Sequence, residues 1–238
     1  MQIQTAFNLS RKGLMAMGYA ADLAGRLPES ELVVVCRAGD DPERVRKFLN
    51  GQIARSATMT LRLYDENSAR QPVLTDTILV SHQATRPTAA AHVLYTVDER
   101  RIRNGQVRVC FPFGSGTTGP YDAALAYLLA QKLKAEIVLA HTTWRNPECA
   151  SERASDHMHR GAVEVLERLT AEAEKYGLKT MVHIATAEDV PRFIVETAND
   201  LGCQLIVMAR RHQTLRGGYV DEVMRLTNVP VLSIKGVG

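Results

Sequence analysis

Hydrophobic residues in the second half of the chain fall into two alternating patterns. Short continuous apolar runs, typical of buried strands, occur in QVRVCF, EIVLAH, KTMVHIA, QLIVMA and VPVLSI. Between these runs the apolar residues keep a helical spacing, as at Ala162, Val165, Leu166, Leu169 and Ala173. Residues that begin or end helices stand where one segment gives way to the next, at Pro120, Gly177, Asp189, Pro191 and Gly202. The pattern predicts an α/β fold whose parallel sheet is covered by helices on both faces.

The first half repeats this order of elements in a shortened form. Apolar runs occur in MQIQTAF, ELVVVCRAG, TMTLRLYD, DTILVSHQ and HVLYTV, and helical spacing is present through Leu14, Met17, Ala21 and Ala24 and through Val45, Phe48, Leu49 and Ile53. Too few residues for a helix separate TLRLYD from DTILV, and only ATRPTAAA stands where the next loop and helix belong. We therefore predict two tandem repeats of one unit, of which the first is degenerate and has lost about two helices. The charged stretch DERRIRNGQ is typical of an exposed linker and places the repeats at residues 1–102 and 103–238.

Composition restricts the class of protein and its partners. The chain is 45% hydrophobic and 23% charged, which is typical of a globular protein, and its net charge of +3 is too small to indicate nucleic acid or a membrane surface as a partner. No apolar run reaches the roughly 18 residues needed to cross a bilayer, and the N-terminus lacks the apolar core of a signal peptide. The cysteines stand far apart and form no CxxC motif, so we expect reduced thiols and a cytoplasmic protein, with the cysteines at Cys36, Cys110, Cys149 and Cys203.

Two loops in the second repeat carry candidate anion-binding chemistry. The first, GSGTTGP, follows the first strand, and its candidate residues are Gly114, Ser115, Gly116 and Thr117. The second, ARRHQTLRGG, follows the fourth strand, and its candidate residues are Arg210, Arg211, His212, Gly217 and Gly218. Each loop leads into a helix whose free N–H groups and positive dipole end attract anions. Because ligands of doubly wound sheets bind at the carboxyl ends of such strands, we expect the loops to converge there. Two tight turns with solvated arginines are the alternative interpretation.

The sequence does not predict a catalytic or a metal site. Ser115 has no orienting carboxylate to accompany His141 or His212, and the chain lacks the G-x-S-x-G turn of a hydrolase nucleophile. Residues of the types that bind zinc occur together at Cys149, Asp156, His157 and His159. The two histidines are two positions apart, however, and on a helix they point about 200° away from each other. A solvated loop that runs into a helix explains this segment.

The second repeat resembles a universal stress protein domain over nearly all of residues 106–235. The order and spacing of four segments carry the resemblance: VRVCFPFGS, AALAYLLAQKLKAEIVLAH, AEDVPRFIVETANDLGCQLIVMA and GGYVDEVMRLTNVPVLSIK. The resemblance implies an open parallel α/β sheet of the adenine nucleotide alpha hydrolase-like type. It also implies adenine-nucleotide binding, as in some members of the family, so that ATP, AMP or another phosphate-bearing molecule is the indicated ligand. The last strands of two domains commonly pair in this family, which implies an intrachain pseudo-dimer through HVLYTV and VPVLSI, or a homodimer.

The chain departs from the ATP-binding members of this family at both loops. Those members have an aspartate before the Gly-Ser pair, where this chain has Phe113. Their phosphate loop has glycines at the positions of Ala209 and His212, and the loop in this chain is about five residues shorter. Glycines let backbone N–H groups approach a phosphate closely, and side chains obstruct that approach. We therefore predict that normal ATP affinity is lost, while the arginines of the second loop still attract a small anion.

Two classes of function fit these observations. The first is a universal stress protein-like regulatory or stress-response protein that acts by binding another protein, with weak or altered anion binding in the second repeat. The second is a nucleotide-using enzyme, adenylating or phosphate-hydrolysing, on a related α/β fold. The enzyme would need a metal-binding carboxylate near the loops, and neither GSGTTGP nor ARRHQTLRGG contains one. We favour the first class, and we expect no nucleotide in the first repeat because its turn NLSRKG and its glycine-free loop after DTILVSH offer no phosphate cradle.

Overall fold

The computed structural model describes most of the second half of the chain and shorter stretches of the first half. The chain divides into two compact units, Met1–Arg103 and Asn104–Gly238. The residues whose structure is described are 2–6, 10–27, 30–37, 41, 43, 47, 58–64, 77–81, 92–95, 106–114, 120–143, 152–210 and 218–235.

The first unit is an open parallel α/β sheet. Its elements are β1 (Gln2–Ala6), α1 (Arg11–Arg26), β2 (Glu31–Arg37), β3 (Thr58–Tyr64), β4 (Thr77–Ser81) and β5 (His92–Tyr95). The strand order is β3-β2-β1-β4-β5, and neighbouring strands of the unit run parallel. Helix α1 packs against β1, β2 and β4. The predicted helix through Val45 and Ile53 lies mostly outside the described residues, as do the two connections that we expect to have lost their helices.

The second unit has the same strand order. Its elements are β6 (Arg108–Pro112), α2 (Pro120–Lys132), β7 (Glu136–Thr143), α3 (Glu152–Lys175), β8 (Thr180–Thr186), α4 (Val190–Asp200), β9 (Leu205–Arg210), α5 (Tyr219–Leu226) and β10 (Val231–Lys235). The sheet runs β8-β7-β6-β9-β10, again with parallel neighbours. The predicted fold class, an α/β protein with an open parallel sheet, is confirmed.

Helices cover both faces of the sheet in the second unit. On one face, Phe111 meets the ring of Tyr127 edge-on with ring centroids 6.3 Å apart, and the Tyr127 hydroxyl donates a hydrogen bond to the Leu169 carbonyl at 2.8 Å. These contacts bring α2 and α3 onto that face. On the other face, residues of α4 and α5 join a buried cluster that includes Cys110 and Ile206. Because successive residues of a strand point to opposite faces, burial on both sides produces the continuous apolar runs seen in the sequence.

Three helices of the second unit end in the same backbone conformation. Each is followed by a residue in the left-handed region, namely Lys134 (φ 52°), Gly177 (φ 67°) and Gly202 (φ 62°). The next residue then donates its N–H to a carbonyl in the last turn, at 2.8 Å from Ala135 to Ala130, 3.2 Å from Leu178 to Ala173 and 2.7 Å from Cys203 to Ala198. This is the Schellman motif, which satisfies carbonyls that the helix leaves unpaired. The helix ends at Gly177 and Gly202 were predicted. The third helix end was not predicted, because it has Lys134 in place of a glycine.

Candidate functional site

The candidate site lies where the strand order of the second unit reverses. Strands β6 and β9 are neighbours, with Val109 opposite Leu205 and Cys110 opposite Ile206, so their carboxyl ends reach the same edge of the sheet. The connection from β6 leads to α2 on one face, and the connection from β9 leads to α5 on the other face. Connections that part in this way leave a crevice between them, which is where open α/β sheets bind ligands.

Three of the predicted anion-binding residues have a described position. Gly114 follows β6 and is half-buried, Arg210 is the last residue of β9, and Gly218 is the N-cap of α5. Gly114 and Arg210 therefore stand at the ends of adjacent strands. The remaining candidates lie outside the described residues, namely Ser115, Gly116, Thr117, Arg211, His212 and Gly217. The convergence of the two loops on a bound anion stays a prediction.

The first turn of α5 carries two carboxylates that the anion-site prediction did not take into account. Gly218 offers no capping side chain, so the N–H groups at this helix start are free of a side-chain cap. Asp221 and Glu222 follow within the same turn, and both are exposed. Acidic side chains in a first turn complement the positive end of the helix dipole and repel other anions. The stretch YVDEV shows these residues in the sequence, and their negative charge opposes an anion at this helix start.

Phe113 and His141 form a buried aromatic pair at the carboxyl ends of β6 and β7. Their ring centroids are 4.8 Å apart and the ring planes are inclined by 21°, which is a stacked arrangement. Both residues are buried. The backbone N–H of Phe113 donates to the Ala140 carbonyl at 2.9 Å, so the main chain of Phe113 continues the β6–β7 hydrogen bonding. Phe113 is therefore fixed by a main-chain hydrogen bond to Ala140 and by the stacking of its ring on His141.

His141 also bonds to the main chain of its aromatic partner. Its Nδ1 atom lies 2.9 Å from the Phe113 carbonyl oxygen. A carbonyl oxygen only accepts hydrogen bonds, so Nδ1 carries the hydrogen and donates. The ring of His141 is thus fixed by one hydrogen bond and one stacking contact, and it ties Phe113 to β7.

Threonine hydroxyls continue along the same edge of the sheet. The Oγ1 atoms of Thr143, at the end of β7, and Thr186, at the end of β8, are 3.2 Å apart and form a hydrogen bond. The Oγ1 atom of Thr142 is buried, and among the residues with described structure it has no hydrogen-bond partner. These hydroxyls can donate to or accept from a small polar ligand, but they carry no charge to hold an anion.

The corresponding helix start in the first unit is closed by its own side chain. Ser10 is the N-cap of α1, and its hydroxyl accepts a hydrogen bond from the Gly13 N–H at 3.1 Å. A phosphate would have to displace that bond in order to reach the same N–H group. The loop after DTILVSH lies outside the described residues, so the expected absence of a nucleotide from this unit remains a prediction.

In the part of the chain that the structure describes, no three His, Cys, Asp or Glu side chains form a group that could hold a metal ion. The side chains of Cys149, His157 and His159 are not among those described. No helix in the described ranges combines the length and the apolar character needed to cross a membrane.

The second unit carries the match to a known protein family. Residues 108–235, which are more than half of the chain, match the model of the universal stress protein family. The chain belongs to the universal stress protein family. The matched range runs from the start of β6 to the end of β10, so it contains both loops of the candidate site. None of the curated proteins matches this family member significantly in sequence.

Solved structures of universal stress proteins share the fold. A universal stress protein from Archaeoglobus fulgidus DSM 4304 is 15% identical, with a TM-score of 0.63 over 98% of this chain and 98% of that chain. A protein of unknown function from Pseudomonas aeruginosa PAO1 is 14% identical, with a TM-score of 0.63 over 98% of this chain and 92% of that chain. A universal stress protein from Archaeoglobus fulgidus in complex with dAMP is 18% identical, with a TM-score of 0.43 over 55% of this chain and 98% of that chain.

Proposed function

We propose that this universal stress protein is a regulatory protein that acts by binding another protein, and that it holds small anions weakly instead of binding ATP normally. The observation that carries the proposal is the buried stack of Phe113 on His141. A phenyl ring occupies the position from which a carboxylate would accept hydrogen bonds from an adenine amino group. A phenyl ring can accept no such bond, and this one is already packed against a histidine.

Weak anion binding follows from a balance of charges at the β9–α5 connection. Arg210 and Arg211 supply positive charge, and a charge-assisted hydrogen bond from arginine to phosphate is worth roughly 1.5–3 kcal/mol. Asp221 and Glu222 in the first turn of α5 oppose an incoming anion. One or two arginine contacts reduced by this repulsion correspond to dissociation constants in about the high micromolar to millimolar range. Sulfate, AMP and other small phosphates are the ligands that such a site would take.

The tandem organisation and the cellular location belong to the same proposal. The shared strand order of the two units supports two repeats of one ancestral unit. We propose that the last strands of the repeats, β5 and β10, pair and form a pseudo-dimer within the chain, because a strand that ends a sheet exposes unpaired N–H and C=O groups. The free thiols of Cys110 and Cys203 support a reducing, cytoplasmic environment.

Titration calorimetry at low salt tests the anion site. ATP, AMP and sulfate are titrated into the natural protein and into the double variant Arg210→Ala/Arg211→Ala. We expect weak binding of all three anions to the natural protein and several-fold weaker binding to the double variant. The matched control is Arg168→Ala/Lys175→Ala, which removes two exposed positive charges from α3 and should leave binding unchanged.

Two results would contradict the proposal. Binding of ATP at low micromolar strength would show that the stacked ring of Phe113 does not prevent normal nucleotide binding. Equal binding by the natural protein and the double variant, or binding by neither, would show that the arginines at the end of β9 form no anion site.

A further inference from the structure

Two cysteines far apart in sequence are neighbours in the core of the second unit. Cys110 lies in the middle of β6 and is 0% exposed, and Cys203 lies just before β9 and is 5% exposed. Both belong to the buried cluster beneath α4, and both are free thiols. The two thiols lie close enough for each to shift the pKa of the other. Neither cysteine takes part in the candidate anion site.

The end of α4 determines where Cys203 points. Gly202 adopts a φ of 62°, which turns the chain back toward the helix. The N–H of Cys203 then donates to the Ala198 carbonyl at 2.7 Å, and the N–H of Gln204 donates to the Arg108 carbonyl at 2.9 Å. Hydrogen bonds on both sides of Cys203 therefore fix its backbone between α4 and β6. In the Schellman motif this position packs its side chain inward, and here the inward side chain joins the buried cluster that contains Cys110.

The surroundings make the two thiols unequal. The hydrogen bond from Cys110 lowers the pKa of the Cys203 thiol, burial opposes this shift, and the nearby guanidinium of Arg108 adds to it. The hydrogen bond with Cys203, together with complete burial, raises the pKa of the Cys110 thiol. Arg108 is itself fixed, because its Nη1 donates to the Leu201 carbonyl at 2.8 Å and its Nε donates to Glu136 at 3.0 Å. Cys203 is therefore the thiol that ionises first, and Cys110 is the protonated partner.

We propose that Cys110 and Cys203 form an oxidation site at which hydrogen peroxide converts the two thiols into a disulfide. The Cys203 thiolate attacks one peroxide oxygen, the O–O bond breaks, and hydroxide leaves and takes up a proton to become water. Cys203 is then a sulfenic acid. The Cys110 sulfur attacks the Cys203 sulfur, the S–O bond breaks, and the second water leaves with the Cys110 proton. The thiols lose two electrons in total, and one peroxide is reduced to two waters.

The site is separate from the proposed anion site. Cys203 precedes β9, whereas Arg210 ends it, so the two sites stand at opposite ends of the same strand. Closing the disulfide joins β6 covalently to the α4–β9 connection. The backbone next to Cys203 is already hydrogen-bonded to β6, through the N–H of Gln204 and the Arg108 carbonyl. The inference therefore holds whether or not the anion site is real.

Peptide mass spectrometry after peroxide treatment tests the site. The experiment uses the natural protein and a Cys36→Ser/Cys149→Ser background, which keeps only the two cysteines in question. We expect the peptides that contain Cys110 and Cys203 to become linked with the loss of two hydrogen atoms, and dithiothreitol to reverse the link. A native protein that keeps both thiols, or that links either one to Cys36 or Cys149 instead, overturns the proposal.

Single variants in the same background test the assigned roles. In Cys110→Ser the Cys203 sulfenic acid has no partner, so dimedone should label Cys203 after peroxide treatment. In Cys203→Ser the remaining Cys110 should be labelled several-fold less. Circular dichroism checks whether each variant is folded. If a variant is not folded, the linked peptide in the natural protein decides the outcome. Equal labelling of the two variants, or stronger labelling of Cys110, contradicts the role of Cys203 as the attacking thiol.

Discussion

The ring of Phe113 stacks on the ring of His141 at a centroid distance of 4.8 Å, and the Phe113 carbonyl accepts a hydrogen bond from the same histidine. The two residues come from the ends of adjacent strands, β6 and β7, so the pair fastens the turn after β6 to the neighbouring strand. Both side chains are buried, so the phenylalanine that stands before Gly114 is part of the core.

The first prediction concerns the stability that this stack provides. Phe113→Ala removes a buried ring that is only 6% exposed, and the free energy of unfolding should fall by about 3 kcal/mol. Denaturant unfolding followed by circular dichroism measures the change. Tyr219→Ala is the matched control, because Tyr219 is 60% exposed and its loss should alter stability by no more than about 0.5 kcal/mol. Similar losses for the two variants would mean that the stack adds nothing to stability.

The second prediction concerns stability at high pH. Burial, reinforced by Glu172, raises the pKa of Tyr127 in the folded protein. A raised pKa in the folded state gives stability that is fully present below the pKa of an unfolded tyrosine, about 10, and is lost as the pH rises above it. In Tyr127→Phe the fall in unfolding free energy between about pH 9 and 11 should therefore be smaller than in the natural protein.

Tyr127→Phe should also lower the free energy of unfolding at neutral pH, which the same unfolding measurements at different pH values include. Tyr127→Phe removes the hydrogen bond from the tyrosine hydroxyl to the Leu169 carbonyl and should cost about 1 kcal/mol. Tyr219→Phe is the control, since this residue is exposed and the loss of its hydroxyl should leave the neutral-pH stability unchanged. A natural protein and a Tyr127→Phe variant that lose stability in parallel above pH 9 would disprove the alkaline effect.

The third prediction concerns the helix end at Lys134. This exposed lysine has a φ of 52°, a conformation that costs a residue with a side chain roughly 1 kcal/mol more than it costs glycine. Lys134→Gly should therefore raise the free energy of unfolding by about 0.5–1 kcal/mol. Gly177→Ala is the reciprocal control, because nothing lies within 4 Å of the added Cβ and only backbone strain should destabilise it. Thermal unfolding of both variants measures the change in stability. A Lys134→Gly variant less stable than the natural protein would show that the backbone conformation of Lys134 is not strained.

The fourth prediction rests on the proposed anion site. Asp221→Asn/Glu222→Gln removes two exposed carboxylates from the first turn of α5, and each carboxylate contributes roughly 0.3–1 kcal/mol to the charge balance at a helix start. Sulfate binding measured by calorimetry at low salt should become several-fold tighter. Glu174→Gln, an exposed carboxylate in the last turns of α3, should leave sulfate binding unchanged. Unaltered sulfate binding in the double variant would show that these two carboxylates do not oppose the anion.

Helix boundaries show which local features could be predicted. Asp189 was expected to begin a helix, and its carboxylate accepts a hydrogen bond from the Arg192 N–H at 3.0 Å as the N-cap of α4. Gly177 and Gly202 were expected to end helices, and both adopt the left-handed conformation. Caps depend on residues three or four positions apart, so they can be recognised in a linear pattern. Lys134 could not be recognised, because the surrounding chain imposes a conformation that its own side chain disfavours.

The strand ends that flank the candidate site could be predicted from the sequence, whereas the site itself stays a prediction. The strand pattern placed the loops after the first and fourth strands, and Gly114 and Arg210 do stand at the ends of adjacent strands β6 and β9. The acidic first turn of α5 was visible as YVDEV, but it bears on anion binding only because the structure begins the helix at Gly218.

The sequence by itself determined the α/β class, the order of elements in the second unit and the departure from the family pattern at Phe113, because these depend on local periodicity and on residue identity. The tertiary structure decided which residues far apart in the sequence come together. Phe113 contacts His141 across 28 positions, and Cys110 and Cys203 join one buried cluster across more than three times that separation. Such contacts depend on strand register and on the angle at which a helix returns the chain to the sheet, and no local pattern encodes either quantity.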